Sequence, residues 1–173
     1  MTAAAIAHGT VPFPVGQVHG SQFTALDAIL GEEFQGPKGA VYRLCKAAAA
    51  QTSATNLVYK RNAAGSDTVA VGAQSADVAC GVTVADQVDI ALGDYFFLQV
   101  AGEVTLNGKT SHGLAAGDGV KIAGTGAGKV EVDGTSGTWT SGGNVFPCMV
   151  HTVVSTNVFT AYIQGKLMGY GGA

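Results

Sequence analysis

Gly93-Asp94-Tyr95-Phe96-Phe97-Leu98-Gln99-Val100-Ala101-Gly102-Glu103-Val104 is the stretch that decides the fold. A Gly-Asp pair suits a tight turn, because Gly takes positive φ and Asp bonds nearby backbone. Aromatic and β-branched residues then favour a strand. In Tyr95 to Val100 both faces are apolar except at Gln99. Side chains alternate along a strand, so Phe96, Leu98 and Val100 are expected to face the core. Tyr95 and Phe97 then face a second buried surface or a neighbour. Gly117-Asp118, an apolar run and Gly128-Lys129-Val130 echo the pattern of Gly93-Asp94 and Gly102-Glu103-Val104. Each unit reads as turn, strand, Gly turn and return strand, which predicts two successive hairpins.

Short runs of the same kind extend in both directions from this centre. Val41 to Lys46, Leu57 to Lys60, Thr68 to Val71, Val78 to Val84 and Glu103 to Leu106 are read as strands. So are Val120 to Ala123, Val130 to Val132, Val145 to Thr152 and Val158 to Gln164. Gly, Asn, Asp and Ser separate them at short intervals, which predicts an all-β sandwich or barrel rather than βαβ units. Residues 1–22 form an extended N-terminal arm in this reading. Pro12 and Pro14 hold it open, and Val11, Phe13 and Val15 are its apolar teeth. One short helix is expected near 21–30, capped by Ser21 and stopped at Gly31. Residues 23–173 then make a single β-rich domain, with a Gly/Ser/Thr loop at 133–144 that carries Trp139. Loops of that length are often functional, and a lone aromatic there can fold back or anchor a protein contact.

Charged residues are only 12% of the 173 and apolar ones 47%, at a mean hydropathy of +0.28. That balance excludes disorder, which needs low hydrophobicity and high net charge. A net charge of −3 argues against nucleic acid as a partner. No apolar run reaches the ~20 residues of a membrane span, and no basic segment with a long apolar stretch marks a leader. Cys45, Cys80 and Cys148 are widely spaced and odd in number, the pattern of reduced, buried thiols. So little charge must cover the outside that part of the surface is expected to be hidden by other subunits.

The motifs that carry chemistry in other chains fail here. Gly124-Thr125-Gly126-Ala127-Gly128-Lys129 has the Gly and Lys of a phosphate loop, but Val130 stands where magnesium needs a hydroxyl. A strand pattern follows it, not the helix that phosphate requires, so a hairpin turn explains the glycines. His8, His19, His112 and His151 share no metal-ligand spacing, and His151 reads as a core or interface residue in an apolar strand. Asp86 and Asp89 lack the dense ligand spacing of a calcium loop, and Asp94 and Asp118 read as turn formers. The expectation is a protein that is not an enzyme and has no cofactor or metal. Arg43, Lys46, Lys60 and Arg61 lie on neighbouring strands, as a solvated sheet edge or as a patch against an acidic neighbour.

Three stretches resemble the capsid decoration, or cement, proteins of tailed bacteriophages. They are Gly31-Glu32-Glu33-Phe34 with Gly39 to Ala47, Cys80-Gly81-Val82 with Gly93 to Val104, and Ala116-Gly117-Asp118 through Val130. The resemblance implies a compact β-domain on the outer surface of an icosahedral head, made in the bacterial host cytoplasm. It implies the major capsid protein as partner, cementing of the shell, and self-association, most often as a trimer. The contact residues expected on this reading are Val11, Phe13, Val15, Tyr95, Phe97, Trp139, Arg43 and Arg61. The alternative is a tail- or fibre-associated module that binds a receptor or glycan through the Trp139 loop.

Overall fold

A computed structural model of the chain describes residues 17–18, 30–52, 54–63, 66–73, 77–83, 89–134 and 146–163. The strands are β1 (Gln17–Val18), β2 (Glu33–Gln35), β3 (Val41–Ala47), β4 (Val58–Arg61), β5 (Thr68–Val71) and β6 (Ala79–Val82). They continue as β7 (Tyr95–Asn107), β8 (Gly119–Ile122), β9 (Val130–Gly134), β10 (Phe146–Ser155) and β11 (Val158–Ile163). The all-β expectation holds. Every strand read from the sequence is matched, and β1 and β2 are added to them. The arm apart from β1, the helix before Leu30, and Trp139 with the loop from residue 135 lie outside the described residues.

The strands follow the order β2-β3-β5-β4-β6-β7-β11-β10-β8-β9, with a further pairing of β3 to β7. That pairing closes β3, β5, β4, β6 and β7 into a barrel. The β3–β5 pairing is parallel and its other pairings are antiparallel. Cys45, Leu57, Tyr59, Val69, Cys80, Phe96 and Leu98 pack together as its filling. Closure removes the open edges that would otherwise invite aggregation. Beyond the barrel, the second half of β7 begins a sheet with β11, β10, β8 and β9. A parallel bridge from Gly108 to Val130 brings β9 back toward the end of β7. Val104, Leu106, Val120, Ile122, Val130, Cys148, Phe159 and Ile163 fill this second layer. Val58, Ala79, Val82 and Val100 of the barrel wall belong to the same core, so the two layers are joined by apolar packing.

β7 corrects the hairpin reading of the first repeat. It runs for 13 residues through Gly102 without turning back. Gly102 has φ +91, and a Cβ there would stand 3.0 Å from Ala40 Cα, so this glycine bends the strand where β3 crosses it closely. The register shift between Val41 and Tyr42 marks the same bend. Gln99, the one polar residue of the run, donates from Nε2 to the carbonyls of Ala101 (3.0 Å) and Glu103 (2.7 Å), bracing the bend. The second repeat is a true hairpin, β8–β9, with Gly126 and Gly128 at positive φ in its loop. Gly128 accepts from Val58 and donates to Gly72 over 2.8 and 2.6 Å, so the loop is seated on the barrel. The glycine-rich run is thus the turn of a hairpin.

The Gly-Asp half of the repeat holds in both copies. Asp94 Oδ2 accepts from the N–H of Ala91 (2.9 Å) and Asp118 Oδ2 from that of Ala115 (2.8 Å). Gly93 and Gly117 take φ +84 and +88. Each turn then docks on a strand end, the first on Ala47 of β3 and the second on Val150 of β10. Both aspartates are turn formers. The duplication is of turn and docking, not of the whole hairpin.

Candidate interaction surface

Alternation along β3 determines where its basic residue goes. Arg43 shares a face with Cys45 and Ala47, which line the barrel. Its guanidinium is buried and bonds Glu33 Oε1 through Nε (3.2 Å) and Nη2 (2.7 Å). Arg61 is half-buried and meets Asp67 at 3.4 Å, and Lys60 meets Asp77 at 2.8 Å. Lys46 lies over the Tyr95 ring, 4.9 Å from its centroid, and donates to the Tyr95 hydroxyl. The four basic residues therefore serve internal contacts. Neither a solvated edge nor an outward basic patch describes Arg43.

Tyr95 and Phe97 are 2% and 3% exposed. They pack with Ala40, Tyr42 and Leu44, and Leu30 and Phe34 cover the cluster, with Phe34 edge-on to Phe97 at 5.6 Å. The second apolar face of β7 is thus covered within the chain, and this strand makes no demand for a second copy. Phe96, Leu98 and Val100 are buried, as their alternation requires. Val11, Phe13, Val15 and Trp139 lie outside the described residues. His151 is exposed on β10, at a register shift, rather than in a core. Among the described residues no group of His, Cys, Asp or Glu could hold a metal ion.

What does face outward is uncharged. Along β11, Phe159, Ala161 and Ile163 point inward, while Val158, Thr160 and Tyr162 form the other face. Register sets three rows across that face: Glu103–Tyr162–Met149, Thr105–Thr160–Thr152 and Asn107–Val158–Ser155. Glu103 is its one charged member. At the tip of the β10–β11 hairpin all of residues 151–157 are exposed, and Val153 and Val154 are 46% and 59% so. Tyr162 and Leu92, in the Ala91–Asp94 turn, are the other large exposed apolar side chains among the described residues. Scattered exposed apolar residues are ordinary, but a protruding, uncharged β-branched tip is a contact feature. None of these four was singled out from sequence. The signal available was the absence of any Asp, Glu, Lys or Arg from Phe146 to Ile163.

The cysteines are free and buried, as read from their spacing. Burial pushes the Cys80 thiol up to about 12. Burial likewise raises Cys45, with Cys80 and Asp67 adding to it and Arg43 and Arg61 opposing, and burial raises Cys148. Thiolate is the reactive form, so these groups are inert in the fold. A thiol reagent at pH 8 is expected to leave the native protein essentially unmodified over minutes and to titrate all three thiols after denaturation. Fast labelling of the native chain would show a barrel that opens.

No protein-family model matches the chain, and no curated protein matches it. Among solved structures it is similar to the crystal structure of the N base of the head fiber gp8.5 of bacteriophage phi29. The TM-score is 0.46 and the identity 16%, over 75% of this chain and 98% of that one. A likeness at that level carries no inference about function.

Proposed function

We propose that the chain is a structural protein of a phage virion that decorates the outside of the head and cements neighbouring major capsid proteins. It acts by binding, without catalysis, cofactor, nucleic acid or membrane. The observation that carries the reading is the uncharged β10–β11 hairpin, whose Val153–Val154 tip stands exposed while the basic groups on β3 and β4 make internal contacts. The three stretches that resemble decoration proteins support it. They contribute β2 with β3, β6 with β7, and β8 with β9, so the resemblance covers the framework that holds the hairpin out. A protein that binds the assembled lattice in preference to loose subunits stabilises that lattice by mass action. Repetition over a lattice adds avidity, so a small contact per copy suffices.

Electron microscopy of undecorated heads mixed with the purified protein tests this. Regular density on the head surface is the expected result. Bare heads at saturating protein, or density confined to the tail, would overturn it, and the tail outcome would favour a receptor- or glycan-binding module.

A further inference from the structure

His112 is bonded through both ring nitrogens to separate parts of the chain. Its Nε2 lies 2.6 Å from the carbonyl oxygen of Thr156, in the turn between β10 and β11. Its Nδ1 accepts from the backbone N–H of Leu114 over 2.8 Å. A carbonyl only accepts, so Nε2 carries the proton, and an N–H only donates, so Nδ1 offers a lone pair. The two bonds together admit one species, the neutral ring protonated on Nε2. The ring stands edge-on to Phe159 with centroids 4.5 Å apart. It packs against Gly108, where a Cβ would come within 2.9 Å of its Cδ2. The His112 carbonyl accepts from Val132 of β9 over 3.2 Å. One half-buried residue therefore fastens the hairpin tip to the segment after β7 and to β9.

We infer that His112 is a proton-operated latch on the β10–β11 tip: the neutral ring holds the tip, and a second proton at Nδ1 releases it. A protonated Nδ1 sets one donor against another at Leu114, so the doubly bonded arrangement is lost. The charged groups on the surrounding elements do not offer the imidazolium a ready partner. Lys109 and Lys121 both engage Glu131 of β9. Asp133 of β9 is buried and otherwise engaged, and Asp118 accepts from Ala115. The β10–β11 turn and Phe159 bring no charge. A released tip lets the ring take the second proton and a fastened tip does not. Acidification therefore favours release, and the stability of the fastened form rises with pH.

The latch is a property of the isolated protein; only its consequence, loss of decoration in acid, rests on the proposed contact. Ring ¹⁵N shifts at neutral pH are expected to show His112 Nδ1 unprotonated. Across the range in which histidines change charge, ~pH 8 to 5, amide protection at Leu114 and around Thr156 should fall ~10-fold after correction for intrinsic exchange. Protection of Leu44 and Phe96 should stay unchanged. His151→Gln removes the exposed histidine of the same hairpin and should keep the response. His112→Asn, whose side-chain oxygen can accept from Leu114 without titrating, should lose it. Should that variant fail to fold, the wild-type titration still decides. A protonated Nδ1 at neutral pH, or protection that does not change with pH, would overturn the latch. An intact pH response beside absent head binding would count against the proposed contact instead.

Discussion

Replacing Phe96 by alanine is expected to cost ~3–5 kcal/mol and, at ~2–4 °C per kcal/mol for a chain of this size, to lower the melting temperature by ~6–20 °C. Phe96 is fully buried at the centre of the barrel, opposite Cys45 on β3. Its ring stands 5.2 Å from that of Tyr59 on β4, so the side chain ties two walls of the barrel together. Domains typically hold only ~5–15 kcal/mol in all, so this one truncation removes a large share. Neighbouring side chains are already close-packed and can collapse only in part onto the cavity. Tyr162→Ala is the comparison: that ring is 52% exposed, and its loss should change stability by no more than ~0.5 kcal/mol. Thermal unfolding followed by circular dichroism checks both. A Phe96→Ala protein that melts with the wild type would mean the barrel is not the stability-determining layer.

The strands were legible because β-structure writes a two-residue period into the chain, and the Ala91–Asp94 and Ala115–Asp118 turns because Gly and Asp each have a local reason to be there. Pairing was not legible in the same way. Closure of the barrel depends on β3 meeting β7, Cys45 against Phe96, and nothing local in either segment specifies that partner. The bend at Gly102 was mistaken for a turn for the same reason. A glycine at positive φ serves a hairpin or a close crossing equally well, and only the approach of Ala40 separates them. β2 is three residues long and too short to show a period. Arg43 is instructive in the other direction. Its parity with Cys45 and Ala47 was readable, but a charge inside a barrel is expected only when a partner is known, and Glu33 is supplied by a strand that was not foreseen.

The tip of the hairpin was missed by a small error of length. The strand expected to end at Thr152 runs on to Ser155, because Thr156 and Asn157 suffice to turn the chain into β11. Those extra residues are the ones that carry Val153 and Val154 past the core and into solvent. Residues that extend a strand beyond its own packing are under no demand from the fold, so local propensity says little about them.

That freedom makes the tip the place where binding and folding separate. The double variant Val153→Asp, Val154→Asp is expected to fold with a melting temperature near that of the wild type, since both side chains are exposed at the end of the hairpin. Its occupancy on purified heads should fall sharply. Burying two valines against an apolar surface is worth ~3 kcal/mol even when coverage is partial, and that alone is on the order of a 10²-fold change in affinity. Carboxylates in their place would have to be stripped of water with no partner, which adds to the loss. Leu92→Asp is the matched control, because Leu92 is also exposed but lies in the turn that docks on β3, away from the hairpin. It adds a single charge of the same sign and should leave occupancy unchanged. Cosedimentation with heads at several protein concentrations separates a lower affinity from a lower number of sites. If the double variant binds as tightly as the wild type, the tip is not the contact. If Leu92→Asp fails as badly, the barrel end faces the shell and the hairpin points away from it.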